Sequence, residues 1–182
     1  MIFHETPIAG LVIIELERHG DERGWFGRTF CVEEFAAAGL NPVVNQANAS
    51  FTAEAGTVRG IHYQLPPHSE DKYVRCTGGA LYDVGVDLRA GSPTFGQHVG
   101  VELTVENRLG LYIPKGCAHG FQTLAPDTSA TYLMSEPYEP SSERGLRWDD
   151  PALGIEWPLP LTTISEKDRA WPDFGPHLAL TL

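Results

Sequence analysis

No apolar run in the sequence approaches the ~18 residues needed to span a bilayer. The opening stretch, Met1 to Pro7, lacks a basic segment followed by an apolar core, so no secretory signal is expected. Cysteine is scarce: Cys31, Cys76 and Cys117 are odd in number, far apart and form no CxxC. That suits a reduced, cytoplasmic setting better than a disulfide framework. Basic residues are also few, 13 Lys plus Arg against 24 Asp plus Glu, for a net charge of −11. Nucleic acid and anionic membranes are therefore not expected partners, since both require a basic footprint. A small anion remains possible, because it needs only a few placed cations. Repeats, low-complexity tracts and linkers are absent, and the 182 residues are 42% apolar. One domain spanning residues 1–182, with a core of its own, is expected.

Helical signals are thin. Only Cys31–Gly39 combines strong helix formers with a terminal glycine. Ser165–Asp168 resembles a capping box with Asp in place of Glu or Gln, marking a short second helix. The bland reading of that start is a capped turn with solvated charges. Strand signals dominate instead, punctuated by 19 Gly and 14 Pro. Val99, Val101, Leu103 and Val105 alternate with small or polar residues, as do Tyr82, Val84, Val86 and Leu88. Leu11–Leu16 and Gly110–Pro114 read as further strands. Many short strands of this kind predict a sandwich or barrel. In Asn45–Ser50, Gln46, Asn48 and Ser50 share one face. That face is either solvated or turned into a lumen where amides would hydrogen-bond a ligand.

Residues able to do chemistry concentrate in a few segments. Arg59, His62 and Lys72 lie close together in sequence. Two cations and an imidazole are what an anionic or carbonyl substrate would require. Strict alternation would turn Arg59 and His62 to opposite faces, but Gly60 permits a bulge that brings both to one side. Pro114-Lys-Gly-Cys-Ala-His119 resembles the turn-then-strand of the second cupin motif. The first cupin motif here offers only His62, with Gln64 where a second His would fall, so a metal-ligand set is missing. Tyr132 and Tyr138 share strand parity if their segment stays extended. Each is either a core residue or a phenol available to a pocket.

Taken in order, these segments resemble the dTDP-4-dehydrorhamnose 3,5-epimerase family of nucleotide-sugar enzymes. The matching runs are Asp21–Phe26, Gln46–Ser50, Arg59–Gln64, Asp83–Arg89 with Ser92–Gly96, Pro114–Phe121, and Trp148–Pro151 with Ser165–Asp168. The resemblance implies a mainly β fold, a metal-independent, cofactor-free cupin jelly roll that forms a homodimer. It implies epimerisation at C3 and C5 of a nucleoside-diphosphate 4-keto-6-deoxyhexose through an enolate. By resemblance, His62 is the base, oriented by Asp168; Lys72 stabilises the enolate oxygen; Tyr132 is the opposing acid; and Tyr138 stacks on the nucleobase. Gln46, Asn48, Arg59, His119, Glu143 and Lys167 match substrate-contacting positions. Arg23 and Phe26 resemble a loop that reaches into the neighbouring subunit's site.

The chain departs from the family pattern at Arg28, where Glu is usual, and at Glu70, where Gln is usual. An Arg cannot accept a hydrogen bond from a base N–H, so the substrate could carry a different nucleotide. A mono-epimerase acting at one carbon, a metal-dependent cupin and a non-catalytic sugar-nucleotide binder are the competing functions.

Overall fold

The computed structural model describes residues Met1–Leu182. Its strands run β1 (Ile2–Glu5), β2 (Val12–Glu15), β3 (Arg18–Asp21), β4 (Gly24–Gly27), β5 (Gln46–Thr52), β6 (Val58–Gln64) and β7 (Lys72–Gly78). They continue through β8 (Ala80–Asp87), β9 (His98–Thr104), β10 (Gly110–Ile113), β11 (Cys117–Thr123), β12 (Thr128–Met134) and β13 (Glu143–Gly145). Helix α1 (Val32–Ala37) and the single turn α2 (Glu166–Arg169) are the only α-helices, and no helix is long and apolar enough to cross a membrane. A six-stranded sheet in the order β1-β2-β10-β7-β12-β5 faces a five-stranded sheet in the order β13-β6-β11-β8-β9. Both are antiparallel throughout, which makes the fold a cupin-type β jelly roll. Strands β3 and β4 form a separate hairpin outside the two sheets.

Period-2 patterning sorts the side chains into layers. Leu11, Val74, Leu81, Leu103, Leu111, Ile113 and Phe121 fill the space between the sheets. Burial of each such side chain is worth about 1.5–3 kcal/mol. On the outer face of the five-stranded sheet, Ile61, Tyr63, Val84, Val86, Leu88 and Ala118 are covered by Leu146, Leu153 and Leu180 from the C-terminal segments. On the outer face of the six-stranded sheet, Val12, Ile14, Tyr73 and Tyr112 are covered by α1, whose one buried residue is Phe35. The Phe35 ring meets Tyr73 and Tyr112 edge-on at centroid separations of 5.4 and 6.0 Å. The helix ends as its sequence suggests. Gly39 takes a φ of +75°, and the Leu40 and Gly39 N–H groups close onto the Phe35 and Ala36 carbonyls, a Schellman motif.

Three expectations change. Val105 lies beyond the end of β9 and is exposed, so the alternation stops at Leu103. The alternate residues of β8 are as buried as its valines: Asp83 and Asp87 have no exposed surface. Their parity points them between the sheets, where hydrogen-bonding partners replace water. The Asp87 carboxylate accepts from Arg89, Ser92 and Thr94. Burial alone would raise its pKa, but these donors outweigh burial and lower it. Finally, Tyr132 and Tyr138 do not share a strand, because β12 ends at Met134.

Candidate active site

A cavity of about 490 Å³ opens between the two sheets at the end where α2 packs. One wall carries Asn48 and Ser50 from β5, Lys72 from β7, and Tyr132 and Met134 from β12. The facing wall carries Val58, Arg59 and His62 from β6 and His119 and Phe121 from β11. Thr163, Ile164, Ser165 and Asp168 close the edge. The polar face of Asn45–Ser50 thus turns inward at Asn48 and Ser50, and Arg59, His62 and Lys72 meet in space.

The bulge foreseen at Gly60 is what brings Arg59 and His62 together. On β11, His119 pairs with His62 and Phe121 with Arg59, so β6 carries one extra residue between the same two rungs. Gly60 has φ +108°, and an added Cβ there would lie 2.6 Å from the Gly120 Cα and 2.7 Å from the His119 carbonyl. Gly60→Ala is expected to cost about 1–3 kcal/mol through this strained backbone, read as a lower urea midpoint; an unchanged midpoint would contradict it.

His62 Nε2 and Asp168 Oδ1 are 2.6 Å apart, and the second oxygen of Asp168 accepts the Gly60 N–H at 3.2 Å. Asp168 itself sits in α2, where its N–H donates to the Ser165 hydroxyl at 3.0 Å. Half of the capping box therefore forms. Its other half is given up, because the carboxylate turns to His62, and Asp168 is buried rather than solvated. Burial pushes the Asp168 carboxyl up, but its hydrogen bond and charge interaction with His62, together with the Gly60 N–H, hold it below the usual carboxylate range. With Nε2 facing the carboxylate, Nδ1 is the ring nitrogen not engaged by Asp168. The Trp171 indole stands edge-on to the His62 ring at 6.2 Å.

On the wall opposite His62, the Tyr132 hydroxyl pairs with Ser50 Oγ at 2.7 Å, and burial pushes its pKa up to about 12. The phenol therefore stays protonated through the physiological range. Its ring lies 6.2 Å from that of His119, whose Nε2 pairs with Asp83 at 2.7 Å. Lys72 Nζ lies 2.9 Å from Glu70 Oε1. Arg59 donates to the Thr52 hydroxyl at 3.1 Å and the Phe51 carbonyl at 3.2 Å, and remains exposed.

Four more of the expected site residues join into a chain along the rim. The Gln46 amide donates to Asn48 and accepts from the Tyr138 N–H, the Tyr138 hydroxyl donates to Glu143, and Lys167 donates to the same carboxylate. Tyr138 is half exposed. Arg23, Phe26 and Arg28 do not reach the cavity. Arg23 pairs with Asp21 in the β3–β4 turn, Phe26 is 72% exposed, and Arg28 pairs with Glu34.

Sequence reasoning missed Asp83 as the partner of His119, and Trp171 beside His62. A signal for Asp83 existed, an acid at an inward position of an apolar strand; Trp171 had none. No three His, Cys, Asp or Glu side chains converge as a metal-binding set.

Known proteins resemble this chain in sequence and in fold. Residues 5–175 match the family model described as dTDP-4-dehydrorhamnose 3,5-epimerase. The chain is 46% identical over 173 residues to the dTDP-4-dehydrorhamnose 3,5-epimerase of Sinorhizobium fredii, covering 94% of this chain and 89% of the relative. Among solved structures, it resembles dTDP-6-deoxy-D-glucose-3,5-epimerase from Legionella pneumophila in complex with dTDP-4-keto-L-rhamnose. That match has a TM-score of 0.92 and 38% identity, covering 100% of this chain and 98% of the other. It also resembles a 3'-monoepimerase from Streptomyces bikiniensis in complex with dTDP-quinovose, with a TM-score of 0.87 and 36% identity over 93% of this chain and 86% of the other.

Proposed function

The chain belongs to the dTDP-4-dehydrorhamnose 3,5-epimerase family, and on that premise we propose how its cavity inverts C3 and C5 of a dTDP-4-keto-6-deoxyhexose. It is an isomerase. The observation that carries the mechanism is the placement of His62 and Tyr132 on opposite walls of one cavity. Inversion requires a proton to leave one face of a carbon and another to arrive on the opposite face.

The substrate's C4 ketone acidifies the hydrogens on C3 and C5, because the carbanion left behind delocalises into an enolate. His62, oriented by Asp168, removes the proton. The Lys72 ammonium stabilises the negative charge developing on the C4 oxygen. Tyr132 donates its phenolic proton from the other wall, and its high pKa keeps that proton available. Solvent then recharges the tyrosinate and discharges the imidazolium, so each inverted carbon carries a hydrogen from water. Acid–base groups and the substrate's own ketone account for the whole reaction. Arg59 binds the diphosphate as a guanidinium fork. His119, Asn48 and the rim chain of Gln46, Tyr138, Glu143 and Lys167 hold the sugar and base, with Tyr138 stacking on the nucleobase.

The exposed Trp25, Phe26 and Arg23 on the β3–β4 hairpin support a homodimer in which that hairpin completes the partner's site. Arg28 at the end of the hairpin then lies at the base end of that site. Residues 1–182 act as one domain, and three unpaired cysteines support a cytoplasmic location. Incubation with dTDP-4-keto-6-deoxyglucose is expected to yield product inverted at both C3 and C5 by proton NMR. Inversion at one carbon would mark a mono-epimerase; no inversion by folded protein would refute the reading. A panel of dTDP, UDP, GDP and CDP sugars reads base preference. Sedimentation is expected to show a dimer, and a monomer with full activity would contradict the shared site.

A further inference from the structure

We infer that Glu70 is a positioning residue for Lys72, a role that rests on the enolate-stabilising assignment above. Lysine carries its charge on a flexible four-carbon stem, so a cation that must meet a developing oxyanion needs something to fix it in advance. Glu70 supplies that. Its Oε1 lies 2.9 Å from Lys72 Nζ, with only 5% of its side chain exposed and 11% of the lysine's. Its other oxygen accepts from Gln64 Nε2 at 3.1 Å. Gln64 lies on β6, two residues beyond His62, and is itself fixed. Its amide nitrogen also lies within hydrogen-bonding distance of the His68 and Pro137 carbonyls, so its two hydrogens are shared among three acceptors, and its oxygen accepts the Glu139 N–H at 2.6 Å. The Glu70 carboxylate thus ties the cation on one sheet to the strand that carries His62 on the other, and to the backbone on either side of Tyr138.

The adjacent acid offers no substitute. Asp71 is occupied elsewhere, accepting from the Lys115 N–H, the Asn41 amide and the Ser135 hydroxyl. With one ammonium N–H held by Glu70, two remain for the cavity. Removing one partner of a buried pair leaves the other uncompensated, so loss of Glu70 frees Lys72 to leave its catalytic pose. The interaction with the enolate exists only once charge develops, so the loss falls on kcat rather than KM.

A double-mutant cycle tests this. Glu70→Met, which keeps the side chain's bulk but has no oxygen to hold the lysine, is expected to lower kcat about tenfold, the scale of one hydrogen bond to a charged group, with KM nearly unchanged. In a Lys72→Met background, the same substitution is expected to change kcat by less than about twofold, because its effect passes through the lysine. Equal losses in both backgrounds would assign Glu70 a general structural role and overturn the proposal, as would an unchanged or raised kcat. A Lys72→Met protein with wild-type kcat would instead refute the enolate assignment. If Glu70→Met melts below the assay temperature, Glu70→Asp serves in its place. It keeps the charge but is one methylene too short to hold the same contact, and the same kcat loss is expected.

Discussion

Replacing His62 with alanine is expected to reduce both hydrogen exchange and epimerisation by about 10³-fold or more, the upper range for a positioned acid–base group. The imidazole is the only basic nitrogen held between a buried carboxylate and the cavity on that wall, apart from His119. His119 cannot substitute, because it stands with Asp83 beside Tyr132 rather than beside Asp168. The protein should still fold. Asp168 retains the Gly60 N–H, and its own N–H stays on Ser165. A folded His62→Ala variant that exchanged substrate hydrogens at the wild-type rate would remove His62 from the chemistry.

Tyr132→Phe is expected to separate two steps that run together in the native enzyme. The proton would still leave toward His62, but the opposite face would lose its donor. Epimerised product should fall about 10²- to 10³-fold, while solvent hydrogen continues to enter the starting sugar with its configuration kept. The phenylalanine ring preserves the packing against His119 and Phe121, at centroid distances of 6.2 and 6.5 Å. What is lost is the hydroxyl and its bond to Ser50, worth about 1 kcal/mol to stability. Full inversion by this variant, with product configuration analysed by NMR, would show that the acid lies elsewhere.

Much of this arrangement could be read along the chain, for identifiable reasons. Helix α1 was legible because its glycine stop and helix formers are local, and the bulge at Gly60 because a glycine between Arg59 and His62 permits one where parity alone would part them. The sheet strands were legible through their period of two, yet that period misled at β8. A polar residue on an alternating strand usually faces water, whereas Asp83 and Asp87 face a lumen in which His119 and Arg89 take the place of solvent. The turn after Met134 separates Tyr138 from Tyr132, and parity arguments end where a strand does. The rim chain from Gln46 to Lys167 joins residues far apart in sequence and exists only after folding. The Asp168–His62 pair is of the same kind, since the local signal at Ser165 pointed to an ordinary cap. Glu70 was visible only as a departure from a family pattern, and its partner became clear from the position of Lys72.

The most direct test is the origin of the hydrogens on the inverted carbons. Carried out in D₂O, conversion of the dTDP-4-keto-6-deoxy sugar is expected to place deuterium at both C3 and C5 of the product, because each arriving proton comes through Tyr132 from solvent. Inverted product that retained its original hydrogen at those carbons would contradict proton abstraction by His62 and redelivery from the opposite wall.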